Sequence, residues 1–280
     1  MGALARVSIG GATLAAAGAL SLETYGGTTP ADALRSIERK LHARGRDDQA
    51  GRRAEQALTW ARRGRQGNFR YACLRGAELA GVDLGAGEGR PRGADLGYAD
   101  LRQADLSMAI LTAVEMQRTD LRRARLEFAD LRGADLRRAD LQGVLLTGAN
   151  LENADLERAN LRGADLCLAN LGEASLREAN LCDARLEGAS LKGVDLRGAC
   201  LAYAGLCEVN LMGAKLAGCV FRGADLHQAR MGNTDLAGVT FEWARLDQAD
   251  LRGAQLRSAD LRAASLRQAN LQGADLQEAE

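Results

Sequence analysis

The sequence predicts a mainly β protein: a solenoid of short extended segments wound round a narrow apolar axis, with a small helical cap on its N-terminal side. Three observations carry this. From Arg92 to Glu280 the chain repeats every five residues, and of the 37 centres from Leu96 to Leu276 all are Leu except Met116, Phe221, Met231 and Phe241. Two residues before the centre stands Ala in 29 of the 37, with Val114, Thr119, Val144, Val194, Val209, Cys219, Thr234 and Val239 as the exceptions. One residue before it, 21 positions are Asp or Asn. A period this strict is an array of structural repeats.

The period selects the geometry. Ala and Leu lie two apart, so in an extended chain they share a face and the residue between them points away. The next Ala comes three residues after Leu, which breaks that alternation. A helix fails as well, because a step of five turns the side chain by about 140° and smears the Leu stripe around the surface. A short straight segment, a corner and another segment keep Ala and Leu inward throughout. The two residues after Leu form the corner, where Gly recurs (Gly133, Gly143, Gly163, Gly193, Gly213, Gly253, Gly273), as expected where a corner needs φ > 0.

Tandem A(D/N)LXX, as in Ala134-Asp135-Leu136 and Ala159-Asn160-Leu161, resembles the pentapeptide-repeat family. The resemblance implies a right-handed quadrilateral β-helix with four pentapeptides to a coil. Residues 20 apart would then stack at roughly 4.8 Å, and the array would make about nine coils and a rod of roughly 45 Å.

The elements before the array read less simply. Val7 to Leu22 is an uncharged run rich in Ala and Gly after Arg6. It reads as a buried or loose N-terminal segment, or alternatively as a secretory signal with Ala17-Gly18-Ala19 as its small-residue site, residues 1–19 then being exported leader. From 31 to 63 apolar residues fall at helical spacing (Ala33, Leu34, Ile37, Leu41, then Ala54, Ala57, Leu58, Ala61), which predicts a cap over the first coil's open edge. The division is therefore 1–67, N-terminal segment and helical cap, and 68–280, repeat. The repeat starts early, at Ala72-Cys73-Leu74, Ala77-Glu78-Leu79 and Val82-Asp83-Leu84. Leu84 to Leu96 is twelve residues where two repeats need ten, so a two-residue insertion loop is expected within 85–92.

Composition bounds the function. Formal charge is +0, with Lys+Arg 37 and Asp+Glu 37. Residues 1–70 carry 12 basic and 6 acidic groups, whereas 94–280 carry 22 and 28, so a basic head precedes an acidic rod. The two histidines, His42 and His227, are far apart, no glycine motif cradles a phosphate, and the six cysteines form no C-x-x-C pair. No catalytic residue, metal site or cofactor is indicated, and unpaired thiols suit a reducing cytoplasm.

Surfaces remain, read as columns of residues 20 apart. Asp95, Glu115, Asp135, Asp155, Asp195, Asp235 and Asp275 form an acidic stripe, and Arg102, Arg122, Arg162, Arg222 and Arg262 a basic one. Asp and Asn also bond backbone amides at turns, which is a structural reason for their recurrence. Met108, Phe128 and Leu168 share an outward column, with Ile110 and Leu145 at normally polar positions beside it. That cluster is a candidate protein contact, or a docking place for the N-terminal segment. The reading is a non-catalytic protein-binding rod without direct nucleic-acid binding. An end-to-end homodimer through the C-terminal coil is a further expectation. The alternative, implied by the family resemblance, is a DNA-mimicking modulator of a type II topoisomerase such as gyrase, conferring resistance to quinolones or similar poisons.

Overall fold

A computed structural model describes residues 68–77, 79–86 and 92–280, and the backbone of two short strands nearer the N-terminus. Those strands, β1 (Arg6–Ile9) and β2 (Ala12–Ala15), pair antiparallel with Arg6 opposite Ala15. They fall inside the run expected to be a loose segment or a signal. The helical cap expected over 31–63 lies outside the described residues.

From residue 95 onward the backbone is a coil of 20 residues. Parallel bridges join Asp95 to Glu115, Asp100 to Asp120, Asp105 to Arg125 and Ile110 to Asp130, and the four columns continue along the array. Each bridge spans one or two residues, so the walls are short rungs between corners.

Accounting for one pentapeptide shows why the sequence repeats as it does. In Leu121–Arg125 the Leu121 N–H donates to Asp140 O (2.8 Å), Arg123 to Gln142 O (3.0 Å) and Arg125 to Ala104 O (2.9 Å). The Ala124 N–H closes the corner onto Leu121 O at 2.9 Å. Four of five amides are thus satisfied by backbone. The fifth, on Arg122, points outward and is taken by Asp120 Oδ1 at 3.3 Å. A half-buried amide left without an acceptor is costly, and this is the role of the recurrent Asp or Asn. All 21 of them in the array accept the N–H two residues on.

The corners are left-handed throughout. Among the described residues positive φ occurs at 25 non-glycine and 15 glycine positions, each of them two positions after a centre, with the hydrogen bond and φ signs of a type II turn. Glycine is therefore not what the corner angle requires. At several corners it supplies space instead: a Cβ on Gly148 would lie 2.6 Å from the Phe128 ring, and one on Gly223 2.7 Å from the Tyr203 ring. Corner side chains such as Phe128, Leu168 and Tyr203 lean onto the next coil, where Gly148, Gly188 and Gly223 stand 20 residues later.

The first coil corrects the expected loop. Asn68 bridges Asp95 and Cys73 bridges Asp100, 27 residues apart where later coils take 20. The insertion is seven residues and not two, because 85–92 contributes no repeat of its own. Leu84 O still receives a corner bond, at 2.8 Å, from Ala94 N–H. The corner is thus closed between Leu84 and Ala94 as in a regular repeat, with seven more residues of chain between them.

Inside, the Leu and Ala columns stack without gaps and are buried. Phe221 and Phe241 occupy one column with rings stacked at 5.3 Å. Where Ala is replaced by Thr119 or Cys219, the polar atom bonds a carbonyl, Leu96 O or Leu196 O, each at 2.8 Å. In the last coil Leu261, Leu266 and Leu271 are only partly buried. Burying one Leu is worth about 1.5–3 kcal/mol, so the stacked axis is the main source of stability.

Candidate functional site

The acidic stripe is largely committed to the fold. Asp135 accepts both nitrogens of the Arg137 fork (2.9 and 2.5 Å) and the Gln117 amide (2.6 Å). Asp195 does the same with Arg197 (2.8 and 2.5 Å), and Arg257 grips Asp275. Asp95 meets Arg70 at 3.4 Å, Glu115 meets Arg92 at 3.4 Å, and Asp155 lies 3.6 Å from Arg137. Of the seven stripe carboxylates only Asp235 has no cation within reach among the described residues. Hydrogen bonds from Arg197 hold the Asp195 carboxyl below its usual range.

The basic stripe is neutralised in the same way. Arg102, Arg122 and Arg262 fork onto Asp100, Asp120 and Asp260 two residues back. Arg162 reaches Asp183 at 3.1 Å and Arg222 reaches Glu242 at 3.3 Å. Among the described residues Arg118 and Arg123, at corner positions that the stripe did not contain, pair with no carboxylate, and Arg138 in the same kind of position shares Glu178 with Arg158. Column spacing alone could not single them out, because pairing depends on which neighbour each side chain finds.

The apolar cluster is on the surface. Met108, Phe128 and Leu168 project from one corner, with Phe128 56 % exposed. The Phe128 ring lies over Gly148 and Leu168 leans over Gly188, which extends the stripe along the rod. Ile110 stands on the adjoining face in the bridge column of Asp130. Leu145 stands on the preceding face, between Arg125 and Asp165 in its own column. Ile110 and Leu145 thus stand on the two faces that flank this corner, and all five side chains are exposed. Sequence reasoning missed a second exposed pair, Tyr203 at 62 % and Trp243 at 63 %. The same signal, large residues alternating with Gly along one corner column, would have found Tyr203-Gly223-Trp243.

The thiols are in a quiet state. All six cysteines outside the N-terminal region, Cys73 to Cys219, are free. Burial, then hydrogen bonds to Glu187 and Asp165, push Cys167 up to about 12, and burial pushes Cys219 up to about 12. At neutral pH both stay protonated and are poor nucleophiles. Among the described residues no three His, Cys, Asp or Glu side chains are placed to hold a metal ion, and no helix is long and apolar enough to cross a membrane.

A coil of four short walls whose amides are satisfied internally defines a solenoid. The pentapeptide-repeat profile matches residues 92–127, 134–172, 169–204, 206–242 and 244–280, in eight copies. The chain belongs to the pentapeptide-repeat family. It is 36 % identical to HetL from the cyanobacterium Nostoc, a pentapeptide-repeat protein involved in heterocyst differentiation regulation, over 79 % of this chain and 94 % of that one, with a TM-score of 0.53. Rfr23 from the cyanobacterium Cyanothece is 30 % identical over 42 % of this chain and 85 % of its own, at a TM-score of 0.31. Full-length QnrB1, a plasmid-mediated fluoroquinolone resistance protein, is 19 % identical over 73 % and 93 %, at a TM-score of 0.38. A search of curated proteins returned no match.

Proposed function

We propose that this chain is a non-catalytic, right-handed protein-binding rod of the cytoplasm. Its contact for another protein is the corner formed by Met108, Phe128 and Leu168 with Ile110 beside it. The observation that carries the reading is an apolar stripe, headed by a Phe side chain more than half exposed, on a rod whose charges are mostly paired with one another. Burying such a side chain is worth about 1.5–3 kcal/mol, so four together suffice for a specific contact. A regulatory role, of the kind HetL is described as having, needs surfaces and no chemistry.

The test is Phe128→Glu, combined with a photo-crosslinking residue placed at Ile110. The partner crosslinked by the parent rod should be lost by the variant while the melting temperature is kept. Undiminished crosslinking to the same partner would sink the proposal. The DNA-mimic alternative gains little from the geometry. Duplex DNA carries one charge per about 1.7 Å, so a 45 Å imitation needs on the order of 25 unpaired negative charges, and here most stripe carboxylates hold an arginine. A gyrase supercoiling assay, with and without a quinolone, should show neither inhibition nor protection at micromolar rod.

A further inference from the structure

We propose that the corner column carrying Tyr203 and Trp243 is a docking track for a short proline-rich peptide in the polyproline II conformation. These are the two most exposed large apolar side chains among the described residues, at 62 % and 63 %, and both rings are held. The Tyr203 ring lies over Gly223, where even an added methyl carbon would come within 2.7 Å of it. The Trp243 indole N–H donates to Glu242 Oε1 at 3.0 Å, which ties the indole to the rod. Beneath them the Tyr203, Gly223 and Trp243 amides donate to Arg222 O, Glu242 O and Arg262 O on successive coils, at 2.9, 2.8 and 3.0 Å. The platform is rigid, so a ligand loses little free energy in ordering it.

The spacing of the rings selects the ligand. They are 40 residues apart in one column, hence two coils, or roughly 9.6 Å along the rod. A polyproline II chain turns once in three residues at about 3.1 Å each, a repeat of about 9.3 Å. Prolines three apart on one face of it therefore meet both rings in register. A β-strand repeats its face at about 6.6–6.8 Å and does not. Asp183 precedes Tyr203 in the column and Ala263 follows Trp243, so the track has two rungs and fits one P-x-x-P unit. Aromatic faces are what such segments dock on elsewhere. Their carbonyls make no internal hydrogen bond, so they can accept one from the Tyr203 hydroxyl. Charge favours a neutral ligand, because the ionic neighbours already hold one another: Arg222 with Glu242 at 3.3 Å, Arg262 with Asp260 at 2.7 Å, and Asp183 with Arg162 at 3.1 Å. A single-stranded nucleic acid would stack on the rings too, but it needs a basic groove along its backbone. Residues 94–280 carry 22 basic groups against 28 acidic ones. A sugar chain needs polar side chains for its hydroxyls, and those at hand are engaged.

The experiment is calorimetric titration of the full chain with three probes. They are an uncharged proline–alanine peptide with proline at every third position, a peptide of the same composition with its prolines two apart, and cellohexaose. The first peptide should bind one-to-one, and the second about tenfold more weakly. Tyr203→Ala and Trp243→Ala should each abolish the binding. Trp243→Ala/Ala263→Trp keeps two exposed rings but sets them three coils apart, roughly 14.4 Å. Residue 263 already carries a side chain at a φ of 56°, so the new ring is accommodated, and this variant should lose the peptide as fully as Trp243→Ala. Phe128→Glu, on another corner, should leave peptide binding unchanged, so the two contacts stand or fall separately. All variants should melt with the parent. Cellohexaose binding that is lost with either ring would make the track one for a glycan, and self-association that is lost in Trp243→Ala would make it a contact between two copies. Either result overturns the proposal, as do absence of binding at millimolar peptide, equal affinity for the two peptides, or a respaced variant that binds like the parent.

Discussion

Asp235 isolates what the recurrent acid of the repeat contributes. Its Oδ1 accepts the Ala237 N–H at 3.1 Å, and no arginine grips it. Asn presents the same oxygen, as Asn150 and Asn170 do toward Glu152 and Gly172. Asp235→Asn should therefore leave urea stability unchanged, whereas Asp235→Ala should cost about 0.5–1.5 kcal/mol, the net worth of one hydrogen bond. Equal loss in both would refute the capping role. Glycine makes a second residue-level case. Nothing lies within 4 Å of a Cβ added at Gly163, but at Gly148 the Phe128 ring is in the way. Gly163→Ala should cost about 1–2 kcal/mol for its left-handed backbone, and Gly148→Ala more. In a Phe128→Ala background the excess at Gly148 should vanish, which a double-mutant cycle measures directly. Leu, Ala and Asp were legible in the sequence because each answers to the five-residue period. The seven corner glycines expected at φ > 0 do have it; not legible was that Gly148 and Gly223 also make room for a side chain one coil away.

At the scale of the element, the first coil shows where a periodic reading becomes ambiguous. A step of twelve between Leu84 and Leu96 is two more than two repeats and seven more than one, and the pattern alone does not say which. The bridges decide for seven, because the wall needs four segments per coil and Phe69, Leu74, Leu79 and Leu84 already supply them. The Ala94 N–H bond to Leu84 O keeps the corner closed around the insertion. Removing residues 87–93 joins Leu84-Gly85-Ala86 to Ala94-Asp95-Leu96, an uninterrupted repeat. The deletion variant should fold, with unchanged circular dichroism and a melting temperature no lower than the parent's, since a loop closure is removed and the Leu and Ala columns stay in step. A variant that aggregates or melts early would show that the segment holds the first coil in place. Which arginine finds which carboxylate on a neighbouring coil was also beyond the sequence, since that is a property of packed columns.

For the whole molecule, the repeated Asp-Leu-Arg unit ties stability to pH along the entire rod. The Arg262 fork lowers Asp260 to about 2 from 3.8, and the Arg197, Arg252 and Arg257 side chains hold Asp195, Asp250 and Asp275 below the same starting value. In each case the folded carboxyl binds its proton less readily than the unfolded one. The stabilisation is then present above the unfolded value of 3.8 and is lost as pH falls toward the folded values, because the unfolded chain takes up more protons in that interval. The melting temperature should accordingly be level from about pH 8 to pH 5 and drop steeply below about pH 4, with most of the loss complete near pH 2. The drop has a structural signature that separates it from a general charge effect. Converting Asp195, Asp250 and Asp260 together to Asn keeps every backbone cap and removes only the titrating pairs. That triple variant should start slightly lower at pH 7 and lose less on acidification than the parent. Parallel melting curves for parent and triple variant across the acid range would place the acid sensitivity elsewhere in the chain.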